Sequence, residues 1–139
     1  MSKILSIALI VLSLFLFVTC KNQNAASAGQ IESKSGPVYT KISAQEAKQM
    51  MDEMPSITVV DVRTRQEFEA GHIEGSLNIP NEIIGTSKVE SLPDLDATIL
   101  VYCRSGARSS QAARKLIALG YTNIIDFGGI INWPYEVVQ

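Results

Sequence analysis

The sequence predicts an α/β domain in which helices cover a parallel sheet. From residue 38 onward, short β-branched runs alternate with segments of helical periodicity, the pattern of strand–helix–strand units. The most strand-like run, residues 98–102, leads into a loop that contains a cysteine, and a helical segment follows at residues 110–119. About 100 residues are enough for one modest hydrophobic core.

Local signals place the elements in order along this domain. Ser43 and Glu46 have the spacing of a capping box at the start of the first helix, which Pro55 ends. Gly71 closes a short helical turn, and Gly120 is the expected cap of the last helix. The predicted strands, the short helical turn and the last helix occupy residues 57–60, 67–70, 77–79, 98–102, 110–119 and 124–127.

Cys103 opens the most informative segment, residues 103–109, which reads CRSGARS. A loop between a strand and a helix turns backbone N–H groups and the positive end of the helix dipole toward the sulfur, which favours the thiolate. Cysteines at helix N-termini and beside arginine commonly have pKa values of about 3.5 to 7.5, against roughly 8.5 for the free side chain. Arg104, Gly106 and Arg108 therefore favour a reactive thiol over an inert core cysteine. The loop is predicted to be an anion nest for a thiolate, a persulfide or an anionic substrate.

The N-terminal residues have the composition of an export signal. Lys3 precedes an apolar run at residues 4–18, and the sequence becomes polar after Cys20. The run is shorter than the roughly 20 residues of a membrane-spanning helix. A segment rich in Asn, Gln, Ala, Ser, Gly and Lys follows and predicts a flexible tether. The predicted organisation is a signal peptide at 1–19, the tether at 20–37 and the folded domain at 38–139.

Cys20 resembles the lipidated cysteine of a bacterial lipoprotein signal, which becomes the first residue of the mature chain. Residues 17–19, Phe-Val-Thr, depart from the residues usual before that cysteine. The alternatives are an ordinary signal-peptidase site at residues 26–28 and an uncleaved N-terminal anchor. All three place the domain outside the cytoplasm, in the periplasm or at the cell surface, and the first attaches it to a membrane by lipid.

Cysteine count and charge exclude other classes of function. Lipidation or removal of Cys20 leaves Cys103 as the only thiol, so no internal disulfide forms. An exported domain with one unpaired cysteine is consistent with a reactive thiol. The chain has 12 basic and 14 acidic residues and no basic cluster, which argues against a nucleic-acid partner.

Three motifs occur between residues 38 and 139 and together point to a known family. The first runs from Asp61 through GHIEGS at residues 71–76 to NIP at 78–80, and the second is CRSGARS at residues 103–109. The third is GGIINW at residues 128–133. In this order and at this spacing, the three motifs resemble those of a single-domain rhodanese, and the resemblance covers roughly residues 38–139.

The resemblance implies a five-stranded parallel sheet flanked by helices and a sulfurtransferase activity. Cys103 would take the outer sulfur of thiosulfate or another sulfane-sulfur donor as a persulfide and pass it to cyanide or a thiol. It implies a small-molecule donor and acceptor, no metal and no organic cofactor, and we expect a monomer. The implied substrate-binding residues are Arg104, Ser105, Gly106, Ala107, Arg108 and Ser109.

Three further residues are interpreted as structural support for the site or the fold. Asp61 and Arg63 follow a buried strand and are expected to brace the site through charge-assisted hydrogen bonds. His72 is the only histidine, and by resemblance it belongs to the scaffold.

The length of the reactive loop distinguishes enzyme classes within the rhodanese superfamily that this chain resembles. Four residues lie between Cys103 and Arg108, whereas related phosphatases and arsenate reductases carry five. This ranks sulfur transfer above arsenate reduction or phosphatase chemistry. The other alternative is a tethered module that senses persulfides or binds a protein with little turnover.

Overall fold

The computed structural model describes residues 36–85 and 87–139, and within them the chain forms one sheet with helices on both faces. The strands are β1 (Val38–Lys41), β2 (Thr58–Asp61), β3 (Leu77–Asn78), β4 (Thr98–Cys103) and β5 (Asn123–Gly129). The helices are α1 (Ala44–Glu53), α2 (Arg65–Glu69) and α3 (Ala107–Ala118), and a 3₁₀ turn (Ile130–Asn132) follows β5. All pairings are parallel, in the order β1-β5-β4-β2-β3. The predicted five-stranded parallel sheet flanked by helices is confirmed.

Capping boxes start the two helices that precede the reactive loop. Ser43 caps α1, and Glu46 returns a carboxylate to the backbone N–H of Ser43, as the sequence predicts. Thr64 and Glu67 repeat the arrangement at α2, which therefore begins two residues before the predicted turn. Each box satisfies N–H groups that the first helical turn leaves without partners.

The prediction that the last helix begins at Ser110 is wrong by three residues. α3 begins at Ala107, directly after Gly106, whose φ is +103°. The apolar periodicity starts only at Ala112, because the first turn faces the reactive loop instead of the core. Arg108 and Ser109 are therefore residues of the first helical turn.

β4 is the central strand, and its side chains alternate between two cores. Ile99, Val101 and Cys103 face the core covered by α3. Leu100 and Tyr102 face the opposite core, which α1 covers through Ala47. This period of two residues is the geometry of a strand buried on both faces. It places Cys103 at the carboxyl end of the central strand, on the α3 side.

β5 contains an irregularity beside Cys103. Val101 pairs with Asp126 and Cys103 pairs with Gly129, so β5 has one more residue than β4 between these pairs. This is a β-bulge, a device common next to active sites because it turns the backbone locally. Gly128 and Gly129, the two glycines of the third motif, are the last residues of β5.

The predicted signal peptide, Cys20 and residues 20–35 of the predicted tether lie outside the described residues. Gly36 and Pro37 precede β1. In the part of the chain that the structure describes, no helix is both long and apolar enough to cross a membrane.

Candidate active site

The sulfur of Cys103 lies at the base of a loop between the central strand and α3. The residue is 1% exposed. The backbone N–H of Gly106 donates to Sγ at 3.0 Å, and Oγ of Ser109 lies 3.7 Å from it. Carboxyl ends of parallel strands are where open α/β sheets bind ligands, because the loops above them diverge.

The loop lowers the pKa of the Cys103 thiol. Burial alone raises that pKa, but the N–H groups of Ser109, Gly106 and Ser105 and the hydroxyl of Ser109 together outweigh it. Hydrogen bonds to the charged form favour that form. The site therefore stabilises a thiolate, as the sequence predicts. The same N–H groups are hydrogen-bond donors for a negatively charged group bound next to the sulfur.

Two glycines let the sheet support the loop from below. A Cβ on Gly129 would collide with the carbonyl oxygen of Arg104 and lie 2.6 Å from Cα of Ser105. Gly128 has φ +85° and stands in the bulge. Its carbonyl oxygen accepts from Oγ of Ser109 at 3.3 Å. Glycine is required here because the loop backbone rests directly on β5.

Arg108 is held by a carboxylate from another element. Its two terminal nitrogens donate to the two oxygens of Glu67 at 2.7 and 2.8 Å. These hydrogen bonds raise the pKa of Arg108 against the effect of burial, and the charge of Cys103 adds to the rise. The same pairing is the largest cause that lowers the pKa of Glu67 to about 2. The guanidinium is thus oriented and partly neutralised, and three of its five N–H donors remain.

The other residues of the loop lie at the surface, above the buried sulfur. Arg104, Ser105 and Ala107 are exposed, and Gly106 is half-buried. The carbonyl oxygen of Arg104 accepts from the N–H of Ile131, which ties the loop to the 3₁₀ turn. Ala107 begins α3, so its N–H belongs to the positive end of a twelve-residue helix.

Comparison with known families gives one match that spans this geometry. The family described as Rhodanese-like domain matches residues 43–134, which include the sheet from β2 to β5, the loop and α3. The chain belongs to the rhodanese-like domain family. Its predicted membership is confirmed.

Two curated relatives of this rhodanese-like domain are named as sulfurtransferases. The thiosulfate sulfurtransferase PspE of Escherichia coli is 34% identical over 71 residues, covering 51% of this chain and 68% of that protein. A sulfurtransferase of Allochromatium vinosum is 35% identical over 97 residues, covering 69% of this chain and 89% of its own length.

Solved structures show the same fold. The human single-domain sulfurtransferase TSTD1 superposes with a TM-score of 0.60 at 27% identity, covering 67% of this chain and 93% of that one. A rhodanese-related protein of Thermoplasma volcanium gives 0.60 at 31% identity, covering 72% and 98%.

Asp61 and Arg63 form a buried ion pair at the end of β2. Arg63 donates to both carboxylate oxygens of Asp61, with a shortest distance of 2.6 Å, and also to the carbonyl oxygen of Gly71. The guanidinium lies 5.8 Å from the ring centre of Tyr102. The pair joins the end of β2 to Gly71 after α2. No hydrogen bond of the two side chains reaches residues 104–109, so their bracing of the site stays a prediction.

His72 is part of the scaffold geometry. Its ring stacks on Phe68 at 3.7 Å between centroids, and Nδ1 lies 3.0 Å from the carbonyl oxygen of that residue. Its backbone pairs with Val138 near the C-terminus. Among residues 36–85 and 87–139, no cluster of His, Cys, Asp or Glu could hold a metal ion.

Two residues at the site could not be singled out by motif. Glu67 has a local signal, the capping spacing from Thr64, but nothing in that spacing shows its long-range contact with Arg108. Asp126 is 2% exposed and contacts both β5 and α3. Its only signal is a charged residue inside the apolar run of the last strand.

Proposed function

We propose that the chain transfers sulfane sulfur from thiosulfate or a related donor to a thiol or cyanide, through a persulfide on Cys103. The observation that carries the proposal is the hydrogen bond from Gly106 N–H to Sγ at 3.0 Å at the start of α3. It supports an anionic sulfur before reaction, and the neighbouring N–H groups support the terminal sulfur afterwards.

Two displacements complete the proposed cycle. The Cys103 thiolate attacks the outer sulfur of thiosulfate, forms the S–S bond of a persulfide and releases sulfite with the electrons of the broken bond. Cyanide then attacks the terminal sulfur, forms thiocyanate and returns the thiolate. No net oxidation and no external proton is needed, and the scheme predicts ping-pong kinetics.

The relatives support the sulfur chemistry over oxyanion chemistry. PspE is named a thiosulfate sulfurtransferase, and a structure 30% identical, with a TM-score of 0.53, is described as an Escherichia coli rhodanese with anions. The ring here has four residues between Cys103 and Arg108, the shorter of the two loop lengths and the one that the resemblance associates with sulfur transfer.

A steady-state assay separates these reactions. The purified chain should turn over thiosulfate and cyanide with parallel double-reciprocal lines, and it should release little phosphate from aryl phosphates and reduce little arsenate. Cys103→Ser should abolish sulfur transfer, because serine is not ionised at neutral pH. Phosphate release or arsenate reduction without sulfur transfer would overturn the proposal.

A slow module remains the second candidate. The sulfur is nearly inaccessible, and the pairing with Glu67 weakens the positive charge that would attract a donor. If Cys103 loads with sulfur but passes it to small acceptors very slowly, the chain serves as a persulfide sensor or a partner-binding module.

We also propose that the domain works outside the cytoplasm, monomeric, attached to a membrane through lipid on Cys20. The support is the sequence pattern alone: the apolar run at residues 4–18 followed by Cys20 and a polar segment. In that location a small exported thiol acceptor or a protein thiol would receive the sulfur.

A further inference from the structure

Asp126 is a buried carboxylate that the two displacements do not use. Oδ1 accepts from the N–H of Gly128 at 2.9 Å. Oδ2 accepts from the hydroxyls of Ser110 at 2.8 Å and Tyr39 at 3.1 Å. Nζ of Lys41 is 3.8 Å away on a side chain that is 64% exposed. Burying a carboxylate costs free energy unless hydrogen-bond donors satisfy its oxygens. The fold provides such donors for Asp126.

Two of these partners belong to opposite sides of the reactive loop. Gly128 stands in the bulge of β5, where its φ of +85° turns the strand under the loop. Ser110 is the fourth residue of α3, the helix whose first turn faces the sulfur. One carboxylate therefore connects the bulge to the first turn of the helix.

The residues next to those partners contact the loop itself. Ser109, which precedes Ser110, directs its N–H toward the sulfur and its hydroxyl to the carbonyl oxygens of Gly106 and Gly128. Gly129, which follows Gly128, lies directly against the backbone at Ser105. Substitution of Asp126 would therefore displace the loop through both Ser109 and Gly129.

We propose that Asp126 is a positioning residue that holds the sulfur-binding loop in shape by joining the β5 bulge to the first turn of α3. The proposal deepens the proposed function and rests on it, because the loop held in this way is the one that would carry the persulfide. The carboxylate acts through hydrogen-bond geometry, and it does not touch the sulfur.

The sign of the effect distinguishes positioning from charge. A negative group near Cys103 acting only through its field would raise the thiol pKa, so its removal would lower that pKa. A positioning group keeps N–H donors aimed at the sulfur, so its removal should raise the thiol pKa. The side-chain amide of Asn can still accept from Gly128 N–H and donate to the hydroxyls of Ser110 and Tyr39.

The test titrates the Cys103 thiolate by its ultraviolet absorbance in the full chain, with Cys103→Ser as the blank. This measurement needs no sulfur donor, so it stands even if sulfur transfer fails. Asp126→Ala should raise the thiol pKa by about one unit, which is about tenfold less thiolate below the pKa. Asp126→Asn should restore most of the wild-type value. Thiosulfate turnover at neutral pH should follow the same order.

Three results would overturn the proposal. They are a folded Asp126→Ala protein with the wild-type thiol pKa, a lower thiol pKa in both variants, and equal rises of that pKa in Asp126→Ala and Asp126→Asn.

If Asp126→Ala does not fold, Ser110→Ala provides a second test. It removes only the helix side of the link and should raise the thiol pKa by a smaller amount. Lys41→Ala is its control, because it removes only a largely exposed ammonium 3.8 Å from the same Oδ2 and should leave the thiol pKa unchanged. Tyr39 does not serve for this purpose, because its hydroxyl also lies 3.4 Å from Oγ of Ser110. Equal effects of Ser110→Ala and Lys41→Ala, or no effect of Ser110→Ala, would also contradict positioning.

Discussion

Arg108 forms an ion pair with the Glu67 carboxylate, and the charges of the Cys103 sulfur and of Glu82 also act on it. The carboxylate fixes the plane of the guanidinium by a bidentate pair, which a lysine could not reproduce. It also competes with any anionic donor for the same cation. If thiosulfate is the donor, as proposed, Glu67 sets how strongly the first helical turn of α3 attracts it.

Substitution of the two partners should change donor binding in opposite directions. Arg108→Ala should weaken the use of thiosulfate by roughly 1.5 to 3 kcal/mol, the value of a lost charge-assisted hydrogen bond. Glu67→Gln should lower the KM for thiosulfate, because it frees the cation while Gln still completes the capping box with Thr64. Steady-state KM and kcat values measure both effects. A rise in KM for both variants would show that the pair acts only as structure.

Acid should remove the stabilisation that this ion pair provides. Hydrogen bonds from Arg108, joined by those of Thr64, lower the pKa of Glu67 from 4.5 to about 2 against the effect of burial. Since the folded pKa lies below the unfolded one, the contribution is complete above about pH 4.5 and is lost as the pH falls toward 2. Wild type should exceed Glu67→Gln in unfolding free energy by up to about 1 kcal/mol at pH 7. Urea denaturation should show that difference shrinking in acid, and a pH-independent difference would refute the assignment.

At the scale of elements, β5 supports the loop through a glycine that packs against backbone. Gly129→Ala should displace the loop, because its Cβ would meet the carbonyl of Arg104 and Cα of Ser105, neither of which is a flexible side chain. We expect a destabilisation of about 1 to 3 kcal/mol and a large loss of turnover.

Gly85→Ala is the matched control for this substitution. A Cβ there would meet only the carbonyl oxygen of Ile83 at an ordinary 3.8 Å. It should change stability by less than about 0.5 kcal/mol. Thermal unfolding and sulfur-transfer assays compare the two, and equal effects would contradict the packing argument.

The sequence predicts elements well where the signal is local. The capping box at Ser43, the strand before Cys103 and the loop itself follow from residues close together in the chain. The start of α3, the bulge in β5 and the contact between Glu67 and Arg108 do not. These depend on β5 lying beside β4 and on α2 approaching α3, which only the folded sheet order establishes.

For the whole molecule, the proposed attachment of the domain to a membrane depends on Cys20. Cells that express the chain should incorporate labelled fatty acid into it, and Cys20→Ala should abolish the labelling while leaving sulfur transfer intact. Metabolic labelling and N-terminal sequencing measure this. An unlabelled wild-type protein whose mature N-terminus is residue 29 would replace the lipoprotein interpretation with ordinary cleavage.

The central claim is that Cys103 carries sulfur, and intact-protein mass spectrometry tests it most directly. After incubation with thiosulfate, the full chain should gain the mass of one sulfur atom, and cyanide should remove it. Cys20→Ser should load like wild type, because the N–H groups that stabilise an anionic sulfur surround Cys103. Cys103→Ser should show neither gain nor loss. A folded Cys103→Ser protein that still loads cyanide-labile sulfur, or a wild type that never loads, would contradict the persulfide account.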